Sequence, residues 1–241
     1  MCGIIRLAKT IFQRGDTIKR TKLKDRGLPD YTKGEEIFNM VSHIIGGALG
    51  IVAIPLCVIM AAIHKNVYGI ISGAIFGATM ITLYCMSSIY HGLSPKKKAK
   101  KVFQIIDHCT IFVLIAGTYT PFTLCTVRSV NTAMGWVMFG VVWAAAALGI
   151  TLNAIDLKKY KIFSMICYLV MGWCILSYAV PTVKALTLPG AMWLLIGGVM
   201  YTLGAILYGV GSKKRYFHSV FHIFCVLGSL AHFICILFYV M

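Results

Sequence analysis

Acidic residues are scarce in this chain: seven Asp and Glu stand against 23 Lys and Arg among 241 residues. Five of the seven (Asp16, Asp25, Asp30, Glu35, Glu36) precede the first long apolar run, and Asp156 sits beside a basic connection. That leaves Asp107 as the one carboxylate expected inside an apolar segment. The nine cysteines include no C-x-x-C pair. Nearly all lie in apolar segments, where Cys behaves as a small apolar residue, so neither disulfides nor a thiolate metal site is expected. The N-terminal stretch has no continuous apolar core followed by a small-residue cleavage site, which speaks against a cleavable signal peptide. Long polar stretches between the apolar ones are also missing, leaving no room for a second folded domain.

What is present is hydrocarbon. The chain is 59% hydrophobic with a mean hydropathy of +0.83, far outside soluble composition. Apolar stretches run over about 41–63, 67–91, 105–126, 132–153, 162–183, 189–211 and 218–241, each near the ~20 residues that cross a hydrocarbon core. The expected fold is an all-α membrane protein, a seven-transmembrane helix bundle, with residues 1–35 as a basic N-terminal cytoplasmic segment and 36–241 as the membrane domain.

Orientation is read from Lys and Arg, which stay on the cytoplasmic side during insertion. Nine lie in the N-terminal segment, five in the 2–3 connection (Lys96, Lys97, Lys98, Lys100, Lys101), and three each in the 4–5 and 6–7 connections. Only Lys65, Arg128 and Lys184 fall on the other side. This places the N-terminus in the cytoplasm and, with an odd number of crossings, the C-terminus outside. The net charge of +16 then reads as topology and attraction to anionic headgroups, not as a nucleic-acid footprint. Within "IIRLAKTIF", Ile4, Leu7, Ala8, Ile11 and Phe12 share a helical face as a surface-lying helix would; a disordered basic tail accounts for the segment equally well.

Polar groups inside spans are costly and mark interiors or sites. Thr32 and Glu35 have capping-box spacing, so a helix should begin there. Behind them Glu36, Asn39 and His43 share a face that continues as Gly46, Gly47 and Gly50, which suits helix packing rather than lipid. Ser87 and His91 lie one turn apart. Asp107, Thr110, Leu114, Gly117 and Pro121 form one face of the third span, with His108 rotated away. The last span carries His218, His222, Cys225, Ser229 and His232 as a stripe that should face inward. Spans four to six have no such stripe and read as scaffold, with Trp136, Trp143, Trp173 and Trp193 as anchors or packing.

By the orientation above, His91, Asp107, His218, His222 and the Glu36/Asn39/His43 group all fall at cytoplasmic depth. Taken alone, an H-x-x-x-H spacing favours helix-end residues near the headgroups. Three histidines and the one membrane carboxylate at a common depth tip the balance toward a metal. Three imidazoles leaving an open position are the pattern of a catalytic zinc, so His91, His218 and His222 are the expected ligands of a Zn2+ cofactor. Asp107 is expected to orient the zinc-bound water. Ser87, Glu36, Asn39 and His43 are expected to support the ligands by hydrogen bonds, with His43 the alternative ligand. His232, about 21 Å along the helix from His218, is too deep to share the site.

The motifs "EEIFNMVSH", "SSIYH", "DHCTIFVLIAGTYTP" and "HSVFH", in this order over residues 32–241, make the sequence resemble the hemolysin III proteins of bacteria, the prokaryotic branch of the progestin and adiponectin-receptor superfamily. The resemblance implies a seven-helix bundle with its N-terminus inside and a zinc near the cytoplasmic leaflet. It implies that His91, His218 and His222 bind the metal and that Asp107 contacts its water. It further implies a multi-pass cell-membrane protein, in bacteria the cytoplasmic membrane, with membrane lipids as partners.

Three functions compete. Zinc-dependent hydrolysis of a lipid amide or ester, ceramidase-like, follows from the open three-histidine site and the receptor branch. A pore-forming, cytolytic activity follows from the family name alone. A regulator of membrane homeostasis would use zinc structurally. Lacking the receptors' long N-terminal domain and C-terminal tail, the chain is not expected to bind a protein hormone.

Overall fold

The computed structural model describes residues 20–210 and 214–241. The expected surface helix over "IIRLAKTIF" and Lys213 of the 6–7 connection lie outside the described residues. Within them the chain is all helical and holds six helices long and apolar enough to cross a membrane. We number them α1 (Lys33–Ile63), α2 (Val67–Gly92), α3 (Lys98–Val130), α4 (Thr132–Asp156), α5 (Lys161–Gly209) and α6 (Phe217–Tyr239). The protein is a multi-pass membrane protein.

Six is a correction to the expected seven-transmembrane bundle. The stretches expected as spans five and six both lie in α5, a continuous helical run of 49 residues. No polar connection separates them: after Lys184 the chain reads "ALTLPG", and the backbone stays helical apart from Thr187 (φ 62°, ψ 168°). A 3-10 turn over Cys174–Tyr178 also interrupts the run without ending it. At Thr187 the run turns sharply and its two arms pack together: Trp173 Nε1 donates to Thr202 Oγ1 at 3.0 Å, and Lys161 Nζ lies over the Tyr208 ring. The six helices do not fix which side of the membrane holds the N-terminus or the C-terminus, so the expected cytoplasmic N-terminus and outside C-terminus are not assigned by the fold. The fold distinguishes a lysine-rich end from its opposite and does not assign either to the cytoplasm.

Helix starts follow local chemistry. Thr32 caps α1: its N–H and hydroxyl donate to Glu35 Oε2, each at 2.8 Å, and Glu35 N–H donates back to Thr32 Oγ1 at 3.2 Å. The helix therefore begins well before its apolar run, which puts Glu36, Asn39 and His43 on helical backbone. Asn66 and Asn131 cap α2 and α4 through their side chains.

Small residues let the helices meet. Gly46, Gly47 and Gly50 are buried against α2; a Cβ on Gly46 would stand 2.7 Å from the Tyr84 ring. Asp107, Thr110, Leu114, Gly117 and Pro121 form the buried face of α3, as the sequence predicted. On α6 the polar stripe points inward, with His222, Cys225, Ser229 and His232 all buried. The outward face of α1 carries Ile44, Ile51, Ile59 and Ile63, each more than half exposed. Such a face is costly in water and at home in lipid. One apolar core joins α1, α2 and α6 through Cys57, Phe76 and Phe233; a second joins α3, α4 and α5 through Phe112, Val142 and Ile175.

Candidate metal centre

The lysine-rich end gathers the last turn of α2 and the first turns of α1, α3 and α6. His91, His218 and His222 meet there, with one nitrogen of each lying within 4.8 Å of the others. The i, i+4 spacing puts the Nε2 atoms of His218 and His222 3.0 Å apart. That is close to the ligand separation of about 3.3 Å that a tetrahedral zinc with 2.0–2.1 Å bonds requires.

The chemistry of the donors fits a metal. His91 donates from Nδ1 to Glu36 Oε2 at 2.6 Å, which fixes the ring and leaves Nε2 bare toward the cluster. His91 Nε2, buried, has no hydrogen-bond partner among the described residues, and neither do Nδ1 of His218 and of His222. Three imidazoles, two of them buried and that of His218 half-buried, each keep one ring nitrogen without a hydrogen-bond partner among the described residues, which is costly for a polar cluster and suited to a cation.

Beside the cluster opens a cavity of about 150 Å³, overwhelmingly apolar, whose wall includes His218, His222, Asp107, Ser87 and His43. A second cavity of about 280 Å³ adjoins it, sharing Thr118, Tyr119, Trp173, Gly198 and His232. A polar cluster thus stands at one end of an apolar space.

The sequence profile of the haemolysin-III-related family matches residues 31–233. The chain belongs to the haemolysin-III-related family. It is 36% identical over 207 residues to hemolysin-3 of Bacillus cereus, covering 86% of this chain and 92% of that protein. It is 38% identical over 209 residues to the hemolysin-3 homolog of Bacillus subtilis, covering 87% and 96%. The human monocyte to macrophage differentiation factor is 25% identical over 191 residues, covering 76% and 77%. The family match begins at Tyr31 and takes in all three clustered histidines.

The other expected site residues of this haemolysin-III-related chain fall as follows. Asp107 is not part of the nitrogen cluster; it lines the cavity, with His108 Nδ1 3.5 Å away and itself donating to the Gln104 carbonyl. His43 is also outside the cluster, stacked on the His222 ring. Asn39 Nδ2 comes to 3.5 Å of His91 Nδ1, the limit of a hydrogen bond. Ser87 Oγ is buried on the cavity wall and unpartnered among the described residues. His232 is deep in the bundle, with Nε2 donating to the Leu194 carbonyl at 3.1 Å.

Four participants were not foreseen. Lys100, counted in the sequence as a loop charge, is 1% exposed and pairs with Glu36 Oε1 at 2.7 Å. Tyr31, assigned to the N-terminal segment, stacks on His218 with centroids 4.9 Å apart and also touches His91. Burial pushes its phenol pKa up, and nearby Tyr208 and Glu36 add to the shift, so it remains an O–H. Glu35 is buried and, beyond capping α1, accepts from the Tyr216 N–H at 2.7 Å and from Arg215 Nη1 at 3.3 Å. It thereby ties α1 to the start of α6, immediately ahead of His218. Finally α5, read as scaffold, supplies cavity wall through Tyr168, Trp173, Tyr201 and Tyr208. Of these, only Glu35 offered a sequence signal, the capping-box spacing from Thr32.

Proposed function

We propose that this protein is a zinc-dependent membrane hydrolase acting on a lipid amide or ester, with a ceramide-like lipid as the substrate class. The observation that carries this reading is the convergence of three imidazoles beside an apolar cavity that His218 and His222 line. His91, His218 and His222 hold the metal. When bound, zinc supplies a Lewis acid that lowers the pKa of water toward about 7 and polarises a carbonyl. Asp107 takes a proton from the attacking water and returns it to the leaving amine or alcohol. Glu36 and Asn39 keep His91 in place, His43 packs against His222, and Ser87 borders the reacting group. The apolar walls receive the acyl chain, and exposed Lys96, Lys97 and Lys98 at the same end attract anionic headgroups.

Mass spectrometry of lipids incubated with purified protein tests this reading. His218→Ala should abolish product formation, whereas unchanged turnover in that variant defeats the proposal.

A second reading is supported by the way the histidines join two helices: zinc ties α2 to α6 structurally in a regulator of membrane state. In that case chelation lowers thermal stability and no lipid product forms. The name of the Bacillus cereus relative motivates a control for pore formation, namely dye leakage from liposomes containing the protein.

A further inference from the structure

Five lysines crowd the start of α3, in "SPKKKAKK", and one behaves unlike its neighbours. Lys96, Lys97 and Lys98 are exposed, while Lys100 is 1% exposed. An ammonium leaves water at a cost of several kcal/mol unless it is paired, so its partners explain its place. Lys100 Nζ binds Glu36 Oε1 at 2.7 Å. It also donates to the carbonyls of Leu93 at 2.9 Å and His91 at 3.4 Å. These carbonyls end α2, where the last backbone acceptors are unsatisfied and a cation is favoured. The Tyr90 ring lies 4.9 Å from the same ammonium.

The carboxylate of Glu36 has two oxygens and two partners. Lys100 occupies Oε1, and His91 Nδ1 donates to Oε2 at 2.6 Å. Among the described residues, the only other polar neighbour of that nitrogen is Asn39 Nδ2, at 3.5 Å. We propose that Lys100 is a positioning residue for the histidine triad: by pinning Glu36 and the end of α2 together, it fixes the His91 ring with its hydrogen on Nδ1 and Nε2 bare toward His218 and His222. The zinc-affinity part of the test rests on reading the triad as a metal site; the part that concerns the His91 ring does not.

The experiment uses full-length protein in detergent. Histidine ¹⁵N NMR of metal-free protein reports which His91 nitrogen carries hydrogen, and competition with a chromophoric chelator gives zinc affinity. Lys100→Met keeps the bulk and removes the charge. It is expected to let His91 exchange between tautomers and to weaken zinc binding by about tenfold to a hundredfold, the usual cost of losing a partner behind a ligand. Glu36→Gln should weaken binding similarly, and the double variant no further than Glu36→Gln alone, because both act through one contact. A loss under about tenfold in Lys100→Met, or losses that multiply in the double variant, overturns the inference. Should Lys100→Met not fold, Lys100→Arg decides: retained charge predicts an unchanged tautomer and a loss below about tenfold, and a larger loss overturns it. If the wild type binds no zinc, the hydrolase reading falls, while the His91 tautomer still decides the role of Lys100.

Discussion

The imidazole of His43 lies flat on that of His222, with ring centroids 3.7 Å apart and planes within 18° of parallel. His43 therefore presents its face, not a nitrogen, to a residue of the cluster. A flat aromatic of similar size can keep that packing. His43→Phe should retain the wild-type zinc content, whereas His222→Phe should lose it. Elemental analysis of the purified variants checks this, and loss of metal in His43→Phe would make His43 a ligand.

Tyr31 makes a comparable prediction at the other face of the cluster. Its ring stacks on His218, and an aromatic pair of this kind contributes about 0.5–1.5 kcal/mol beyond area burial. Tyr31→Phe should leave thermal stability within about 1 kcal/mol of wild type, and Tyr31→Ala should lower it by more. Thermal unfolding in detergent reads both.

Close helix packing is tested by two glycines of opposite setting. A Cβ on Gly46 meets the Tyr84 ring at 2.7 Å, while one on Gly140 meets nothing within 4 Å. Gly46→Ala should destabilise by about 1–3 kcal/mol through overpacking. Gly140→Ala should be neutral or slightly stabilising, since Ala is the better helix former by about 1 kcal/mol. Equal effects at both positions would deny that α1 and α2 meet through the glycine face.

The clamp between α1 and α6 gives a fourth. Glu35 accepts from the Tyr216 N–H and from Arg215, and Tyr216 itself is held at a positive φ of 62°. Hydrogen bonds to a charged group contribute about 1.5–3 kcal/mol, and part of this remains with a neutral amide. Glu35→Ala should therefore destabilise more than Glu35→Gln, as unfolding measurements will show.

These tests draw unevenly on what the sequence made legible. The inward stripe of α6, the glycine face of α1 and the Thr32 cap were readable because helical period and capping chemistry are local. The three histidines could be grouped from depth, since each lies within a few residues of a basic connection. Lys100 could not be singled out: in a run of lysines, its burial depends on Glu36, which lies on another helix. Tyr31 was hidden for the same reason, its partner His218 standing at the far end of the chain. The count of spans went astray at Thr187, where the chain changes direction with a single non-helical residue and no polar loop. Asp107 shares the cavity with the histidines, yet nothing in residue spacing fixes how far it stands from them.

The most direct test of the account measures zinc content and lipid hydrolysis together, in the same preparations of wild type and Asp107→Ala. The account predicts about one zinc per chain in both, with free fatty acid released from a ceramide-like amide or an ester by the wild type alone. Absence of zinc from the wild type, or equal product from the two proteins, would contradict it.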